Sequence, residues 1–126
     1  MENILREFCS VSINPYIPIR VSEREFNRIS EKLKNNPYNN IILYSNDGVT
    51  FKANSYLLSM RSTYMNLRFN SKKYKKKNHH YDLDLPKNIL NMLLIYFQYG
   101  HLILDENIEV SEIIKLYDAC DFYCLC

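Results

Sequence analysis

The sequence predicts an α+β fold, in which a small three-stranded sheet is packed with a cluster of helices. Two apolar runs flank an Asn46-Asp47-Gly48 turn, which is a strong hairpin signal because glycine tolerates the positive φ of a tight turn. Helical spacing of apolar residues dominates most of the remaining chain, and an alternating run at 81–85 supplies the third strand. The 126 residues, of which 47% are hydrophobic, suffice for one domain with a substantial core.

Composition and charge bound the classes of function. The net charge of +2 is too small to indicate a nucleic-acid partner by itself. No apolar run approaches the roughly 20 residues of a membrane-spanning helix, and the first residues lack the layout of a secretion signal. We therefore expect no membrane partner and a cytoplasmic location, with the nucleus as the alternative. In such a reducing compartment the four cysteines are expected to be thiols.

The chain is predicted to begin with an N-terminal arm over residues 1–21, followed by the domain over residues 22–126. Leu5 and Phe8 lie on one helical face, which predicts a short helix at the start of the arm. Pro15 and Pro18 exclude a helix or a central strand after it, so the arm is expected to continue as an extended segment.

A helix is predicted over residues 22–36. Ser22 and Glu25 have the spacing of a capping box, in which each side chain bonds a free backbone N–H group. Phe26, Ile29 and Leu33 recur at i, i+3 and i+7, which gives the helix a narrow apolar stripe. Such a stripe suits either packing on its own domain or contact with another molecule.

The hairpin is predicted to join a buried strand at residues 41–44 to an alternating strand at residues 49–53. Two short helical runs follow. Asn54 or Ser55 is the predicted cap of the first helix and Ser62 that of the second, because their side chains can accept from free backbone N–H groups.

Residues 70–80 change character, because five lysines fall there among almost no apolar residues: Lys72, Lys73, Lys75, Lys76 and Lys77. Like charges at this spacing repel one another, which predicts a solvated loop. The functional alternatives are a phosphate-binding patch, with Tyr74 stacked on a base, and a nuclear import signal.

The remaining third of the chain predicts two strands and two helices. Residues 81–85 alternate, with Asp82 and Asp84 facing outward. Residues 89–99 form a helix apolar on most sides, suited to the centre of the core and ended by Gly100. A short strand at 101–104 and a helix at 112–125, capped by Ser111, complete the order. The apolar face of that last helix is Ile113, Leu116, Ala119, Cys120 and Tyr123.

No catalytic, metal or cofactor site is expected. With two glycines the chain can hardly build a phosphate-binding loop. Cys120, Cys124 and Cys126, with two histidines upstream, leave zinc as an alternative. The spacing is not that of a standard ligand pair, and Cys120 and Cys124 lie one helical turn apart, so core thiols are predicted. Function is therefore expected to lie in binding.

Four sequence steps, in order over about residues 22–125, resemble the BTB/POZ domain family. The steps are Phe51-Lys52-Ala53-Asn54 against Phe-x-Ala-His, residues 58–69 against Leu-x-x-x-Ser-x-Tyr-Phe with a later Phe, residues 93–100 against Leu-Leu-x-Tyr-x-Tyr-Thr-Gly, and residues 116–122 against Leu-Leu-x-Ala-Ala-Asp-x. The helix before the first strand is similar to that of the kelch and zinc-finger types. The resemblance implies the BTB/POZ fold for residues 22–126.

The resemblance also implies two binding surfaces. One is a homodimer interface made by the first helix, the arm and an exchanged N-terminal strand, with the residues Leu5, Phe8, Phe26, Ile29 and Leu33. The other binds the cullin-3 ubiquitin-ligase scaffold in many members, and here it implies Tyr64, Met65, Phe69, Asn70 and Ser71. The chain would then be an adaptor for an unknown substrate protein, or a decoy of such an adaptor.

Departures from the family pattern refine these expectations. Asn40 and Asn54 replace the Asp and His associated with a co-repressor pocket, so co-repressor recruitment is not expected. The loop offers Phe69-Asn70-Ser71 and Tyr74-Lys75-Lys76, with no charge or a basic residue at the acidic position of the cullin-binding motif, which predicts weak or absent cullin-3 binding. Plentiful Asn, Lys, Ile and Tyr fit an AT-rich genome, such as that of a protist or a large DNA virus. The alternative function is a nucleic-acid-associated protein that uses the lysine run.

Overall fold

A computed structural model of the chain describes residues 18–70 and 79–123. Five strands and five helices are present along these residues, and the class is α+β as predicted. In chain order they are β1 (Ile19–Val21), α1 (Glu23–Lys34), β2 (Ile41–Tyr44), β3 (Thr50–Ala53), α2 (Ser55–Arg61), α3 (Thr63–Asn70), β4 (His80–Asp82), α4 (Lys87–Tyr99), β5 (Ile103–Asp105) and α5 (Val110–Phe122).

The predicted three-stranded sheet is present, with the strand order β3-β2-β4. Strands β2 and β3 form the antiparallel hairpin, in which Ile41 lies opposite Ala53. Its turn contains Gly48 at a φ of 86°, a conformation that favours glycine. Strand β4 joins the other side of β2 in parallel. The central strand therefore has one local and one distant neighbour.

A second sheet consists of β1 and β5, which pair in parallel with Ile19 opposite Ile103 and Val21 opposite Asp105. The sequence placed residues 19–21 in the arm, whereas here they are a strand of the folded part. Their partner lies more than eighty residues further along the chain, so no local pattern indicates the pairing. Leu5 and Phe8 lie outside the described residues.

Helix α4 is the centre of the core, as its apolar sequence predicts. Every residue from Ile89 to Phe97 is buried except Asn91, which is half-buried. The helix ends at Gly100, whose φ is 78° and whose N–H donates to the carbonyl of Tyr96 at 2.7 Å. A side chain at Gly100 would also meet the Arg61 guanidinium, because an added Cβ would lie 3.0 Å from Arg61 Nη1. The positive φ favours glycine at this position, and a larger residue would also have to displace the Arg61 guanidinium.

The helix caps agree with the sequence in three cases out of four. Ser22 Oγ accepts from the Glu25 N–H at 3.2 Å, and Asn54 Oδ1 accepts from the Tyr56 N–H at 2.9 Å. Ser62 Oγ accepts from the Met65 N–H at 3.1 Å. The predicted Ser111 cap is wrong: α5 begins at Val110, and the carbonyl of Glu109 accepts the first helical hydrogen bonds, so Ser111 lies inside the helix.

Two observations concern function classes directly. Within residues 18–70 and 79–123, no group of three or more His, Cys, Asp or Glu side chains is arranged to hold a metal ion. Over the same residues, no helix combines the length and the apolar character needed to cross a membrane.

Candidate functional site

The apolar stripe of α1 packs on the core of the domain, and the core covers only part of it. Phe26 and Leu33 pack against the core, and Ile29 is half-buried. No residue of α1 is fully buried. The structure therefore brings the three predicted interface residues onto one face, and the same face both anchors the helix and leaves apolar surface in solvent.

Polar side chains hold α1 in place on α4. The Asn91 amide donates to Ser30 Oγ at 3.0 Å, and the Asn36 amide donates to Gln98 Oε1 at 3.2 Å. On the outer side Arg28 donates to the Glu25 carboxylate at 2.6 Å, which holds the pKa of Glu25 below its ordinary value. These contacts fix the position of the helix, so the exposed part of its stripe is a defined surface.

Two exposed apolar residues of α2 were not singled out from the sequence. Tyr56 and Met60 lie one turn apart on α2 and are 69% and 56% exposed. Helices α1 and α2 both pack on α4, and the hollow between them is lined in part by Leu33 and Leu57. The i, i+4 spacing of Tyr56 and Met60 was the available signal. We call Phe26, Ile29, Leu33, Tyr56 and Met60 the α1–α2 surface.

A groove of about 500 Å³ separates α3 and β4 from the end of α5. Aromatic rings form one of its walls: the Tyr64 ring centroid lies 5.0 Å from that of Phe122 and 5.1 Å from that of Tyr123. Phe122 is nevertheless 60% exposed. We call this feature the α3–α5 groove; it is lined by Tyr64, Arg68, Asp82, Asp84, Leu85, Pro86, Ile89, Lys115, Asp118, Ala119, Phe122 and Tyr123.

Two side chains of the α2–α3 region hold the walls of this groove together. Ser62 Oγ donates to the carbonyl of Tyr123 at 2.7 Å, which ties the start of α3 to the end of α5. Arg68 donates to the carbonyl of Asp82 at 3.0 Å, and its guanidinium lies over the Tyr81 ring. Burial raises the pKa of Tyr123 to about 12, so its phenol is neutral at physiological pH.

The residues predicted for partner binding occupy different environments. Tyr64 lines the groove, and Phe69 packs edge-on against Tyr81 with ring centroids 5.0 Å apart. Asn70 is exposed, with its amide donating to the carbonyl of Asn66 at 2.9 Å. Met65 is 0% exposed, so it belongs to the core beneath α3 and offers no surface to a partner. Ser71 lies outside the described residues.

Leu67 and Phe122 are exposed residues that the sequence did not single out near this groove. Leu67 is 67% exposed on α3. From the sequence, Phe122 was noted only as part of a family motif, because it lies outside the predicted apolar face of α5. Helical position relative to the buried stripe was the signal that could have marked it as exposed.

The remaining sequence candidates separate into buried and undescribed residues. Cys120 is a buried thiol, as predicted for a helix face, and burial raises its pKa to about 12. Cys9, Cys124 and Cys126 lie outside the described residues, as do Lys72, Lys73, Lys75, Lys76 and Lys77. Nucleic-acid binding by the lysine run stays a prediction, and a salt titration with duplex DNA would test it.

Comparison with known proteins places this arrangement in a family. The family model of the BTB/POZ domain matches residues 29–125. Among solved structures, the BTB (Tramtrack and Bric a brac) domain of human gigaxonin is similar in fold, with a TM-score of 0.58 and 17% sequence identity. The match covers 81% of this chain and 79% of that one. No curated protein sequence matches the chain.

Proposed function

The chain belongs to the BTB/POZ domain family, whose members are protein–protein interaction modules, and we propose that it assembles as a homodimer through its α1–α2 surface. One observation carries the proposal: α1 is strongly amphipathic, yet none of its residues is fully buried. A helix of this kind gains further burial when a second copy covers the exposed part of its stripe.

The exposed apolar side chains of these helices support a dimer. Besides the half-buried residues of α1, Tyr56 and Met60 are exposed on α2, and Tyr99 is 42% exposed at the end of α4. Stable homodimer interfaces bury well over about 1,000 Å² in total. Two helices with exposed apolar side chains can contribute to such an area when the same surface on a second copy faces them.

Strand β1 offers a second means of association. It is three residues long, and its described links to the flanks of β5 include Ile19 N–H to Leu102 and Glu106 N–H to Val21, both at 2.8 Å. We propose that β1 forms the same parallel pairing with β5 of a second copy. The exchange replaces each hydrogen bond with an equivalent one, so it costs little. Leu5 and Phe8 precede the strand and would accompany it to the partner.

Solution mass tests the dimer, and the structure indicates which substitutions are informative. Phe26 packs on the core of its own chain, so Phe26→Asp would disturb the fold as well as the interface. Met60→Asp and Ile29→Asp are better placed, and Ile114→Asp on α5 is the matched control, because Ile114 is 57% exposed and Met60 56%. Light scattering is expected to show a dimer for the native chain and for Ile114→Asp, and a lower mass for the other two.

Circular dichroism of each variant separates a lost interface from a lost fold. A native chain that is monomeric at micromolar concentration would contradict the homodimer. An unchanged mass for folded Met60→Asp and Ile29→Asp would instead place the interface elsewhere.

We further propose that the surface around α3 is a weak docking site for a cullin-3 scaffold. Leu67 on α3 and Phe122 in the α3–α5 groove support a protein partner, because both are large apolar side chains in solvent. The acidic position of the family motif is occupied by Ser71, which cannot pair with a basic group of the partner. The affinity is therefore expected to be low, whether the chain is an adaptor or a decoy.

Calorimetric titration with the N-terminal part of cullin-3 tests this proposal. We expect weak or undetectable binding by the native chain and stronger binding by Ser71→Glu, since the added carboxylate can pair with a basic group of the partner. Submicromolar affinity of the native chain would contradict the predicted weakness. No gain from Ser71→Glu would show that residues 69–71 are not the docking segment.

A further inference from the structure

A separate groove lies between α1, the first half of α4 and the connection from β5 to α5. Its volume is about 250 Å³. Phe26, Met92 and Ile108 give it an apolar floor from three different parts of the chain. The β5–α5 groove, as we call it, is lined by Phe26, Asn88, Asn91, Met92, Asp105, Asn107, Ile108, Glu109 and Glu112.

The rim of this groove carries charge of one sign. Asp105, Glu109 and Glu112 contribute three carboxylates, and the lining includes no lysine or arginine. In the described part of the chain the ion pairs are Arg28–Glu25 and Lys34–Glu31, and neither involves this rim. Asp105 Oδ1 accepts from the Asn107 N–H at 2.9 Å. The three carboxylates therefore line a cavity with an apolar floor, and no ion pair of the described residues involves them.

The charge around the groove extends beyond its lining. Glu106 lies between the lining residues Asp105 and Asn107 in the β5–α5 connection, and it adds an exposed fourth carboxylate next to the rim in sequence. The field of such a region attracts a positively charged partner and disfavours an acidic one. An arginine or lysine side chain has the matching chemistry, because its aliphatic stem can lie on apolar surface while its charged head stays near the rim.

We propose that the β5–α5 groove binds a basic linear segment of a partner protein. One arginine or lysine stem of that segment lies on Phe26, Met92 and Ile108, and its cation is held among Asp105, Glu109 and Glu112. The amides of Asn88, Asn91 and Asn107 border the same cavity, where they can accept hydrogen bonds from the segment. The groove shares only Phe26 with the α1–α2 surface, so the proposal does not rest on the homodimer.

The probe for this site is a short fluorescent peptide of alternating alanine and arginine, with a peptide of alternating alanine and glutamate as its counterpart. Fluorescence anisotropy with the full chain is expected to show binding of the arginine peptide only, weakening as salt is added. Glu109→Gln combined with Glu112→Gln is expected to weaken binding about five- to tenfold, as the loss of two partly exposed charge contacts.

The matched control is Asp118→Asn combined with Asp121→Asn, which removes the same charge from α5 outside the groove. We expect this pair to change the affinity less than about twofold. A second readout is nuclear magnetic resonance, in which the side-chain amide signals of Asn88, Asn91 and Asn107 should shift on titration. All four carboxylates are at helix surfaces or rims, so these variants are expected to fold.

Three results would overturn the proposal. The first is no binding of the arginine peptide at about millimolar concentration, where even a weak specific site is detectable. The second is an equal loss of peptide affinity in the two double variants. The third is equal binding of the glutamate and arginine peptides. Equal weakening would mean that net charge, and not the groove, attracts the peptide. Light scattering on the same samples distinguishes peptide binding from a change in the oligomeric state.

Discussion

At the scale of single residues, Ser62 combines burial with two hydrogen bonds of its hydroxyl group. It is 1% exposed, yet its hydroxyl accepts from the Met65 N–H and donates to the carbonyl of Tyr123. One side chain thus caps a helix and joins two elements that are 61 residues apart in sequence. The Ser that the family pattern requires at this point has a direct structural reason here.

Replacing Ser62 with alanine should therefore lower the free energy of unfolding by about 2 kcal/mol, through a lost cap and a buried carbonyl left without its donor. Urea denaturation followed by circular dichroism measures the change. Ser59→Ala, at a half-buried position on α2, is the control and should cost less than about 0.5 kcal/mol. Equal effects of the two substitutions would show that the Ser62 bonds contribute nothing particular.

Two buried acids predict how stability depends on pH. Burial raises the pKa of Cys120 from 9.0, and that of Tyr123 from 10.0, to about 12 in each case. Both groups bind their protons more tightly when the chain is folded. Their contribution is therefore complete below pH 9.0 and is lost as the pH rises toward 12.

Urea midpoints should accordingly be lower at pH 10.5 than at pH 8, by an amount that shrinks in Cys120→Ala and in Tyr123→Phe. The slope is at most about 1.4 kcal/mol per pH unit for each group. Each variant is compared with itself at the two pH values, so its own loss of packing cancels. An unchanged pH dependence in both variants would show that neither group carries it.

At the scale of elements, the helices and strands that could be predicted are those indicated by a pattern of residues close together in the sequence. The hairpin was readable because Asp47-Gly48 lies between apolar runs, and α4 because apolar residues recur through three turns before Gly100. In contrast, β1 has no local signal, since the pairing of Ile19 with Ile103 depends on the whole fold. The start of α5 was misplaced at Ser111 because a serine is a common cap, whereas the chain turns earlier, at Glu109.

The only residues of the candidate site that could be predicted from spacing are those that recur at helical intervals along α1. Phe26, Ile29 and Leu33 share a face in the structure, as their spacing requires. Met65 was placed on a partner surface because a family pattern, and not its own surroundings, suggested it; α3 turns that side chain into the core. The β5–α5 groove could not be predicted, because its floor combines residues from two helices and a connection that meet only in the folded chain.

Strand β1 also carries a prediction of its own. Proline at position 19 removes the N–H that donates to the carbonyl of Leu102 at 2.8 Å, so Ile19→Pro should detach β1 from β5. Ile19→Ala keeps the N–H and is the matched control. Amide hydrogen exchange along β5 should accelerate in the proline variant only. Similar exchange in both variants would mean that the side chain, and not the strand pairing, holds this segment.

At the scale of the whole molecule, a homodimer makes stability depend on concentration. A partner that binds only the folded chain stabilises it by mass action, so the Tm should rise as the protein concentration is raised from micromolar upward. Differential scanning calorimetry over a concentration series measures the shift. Met60→Asp should flatten this dependence, whereas Ile114→Asp should retain it. A Tm independent of concentration in the native chain would argue against association through any surface.

Charge is also distributed unevenly over the whole chain. The described residues contain ten Lys and Arg against twelve Asp and Glu, so they carry a formal charge of −2 although the complete chain carries +2. Within them, residues 18–70 are basic and residues 79–123 are acidic. The two parts meet in both sheets, because β4 pairs with β2 and β5 pairs with β1.

The central position of β2 has a consequence for the route by which the chain folds. Its pairing with β3 closes a tight turn, whereas its pairing with β4 joins Ile42 to a residue 38 positions away, at His80. Loop closure over the longer distance costs more entropy, so the hairpin is expected to form first and to serve as the template onto which β4 later adds. Extra residues inserted between α3 and β4 would then slow refolding while leaving the rate of unfolding nearly unchanged.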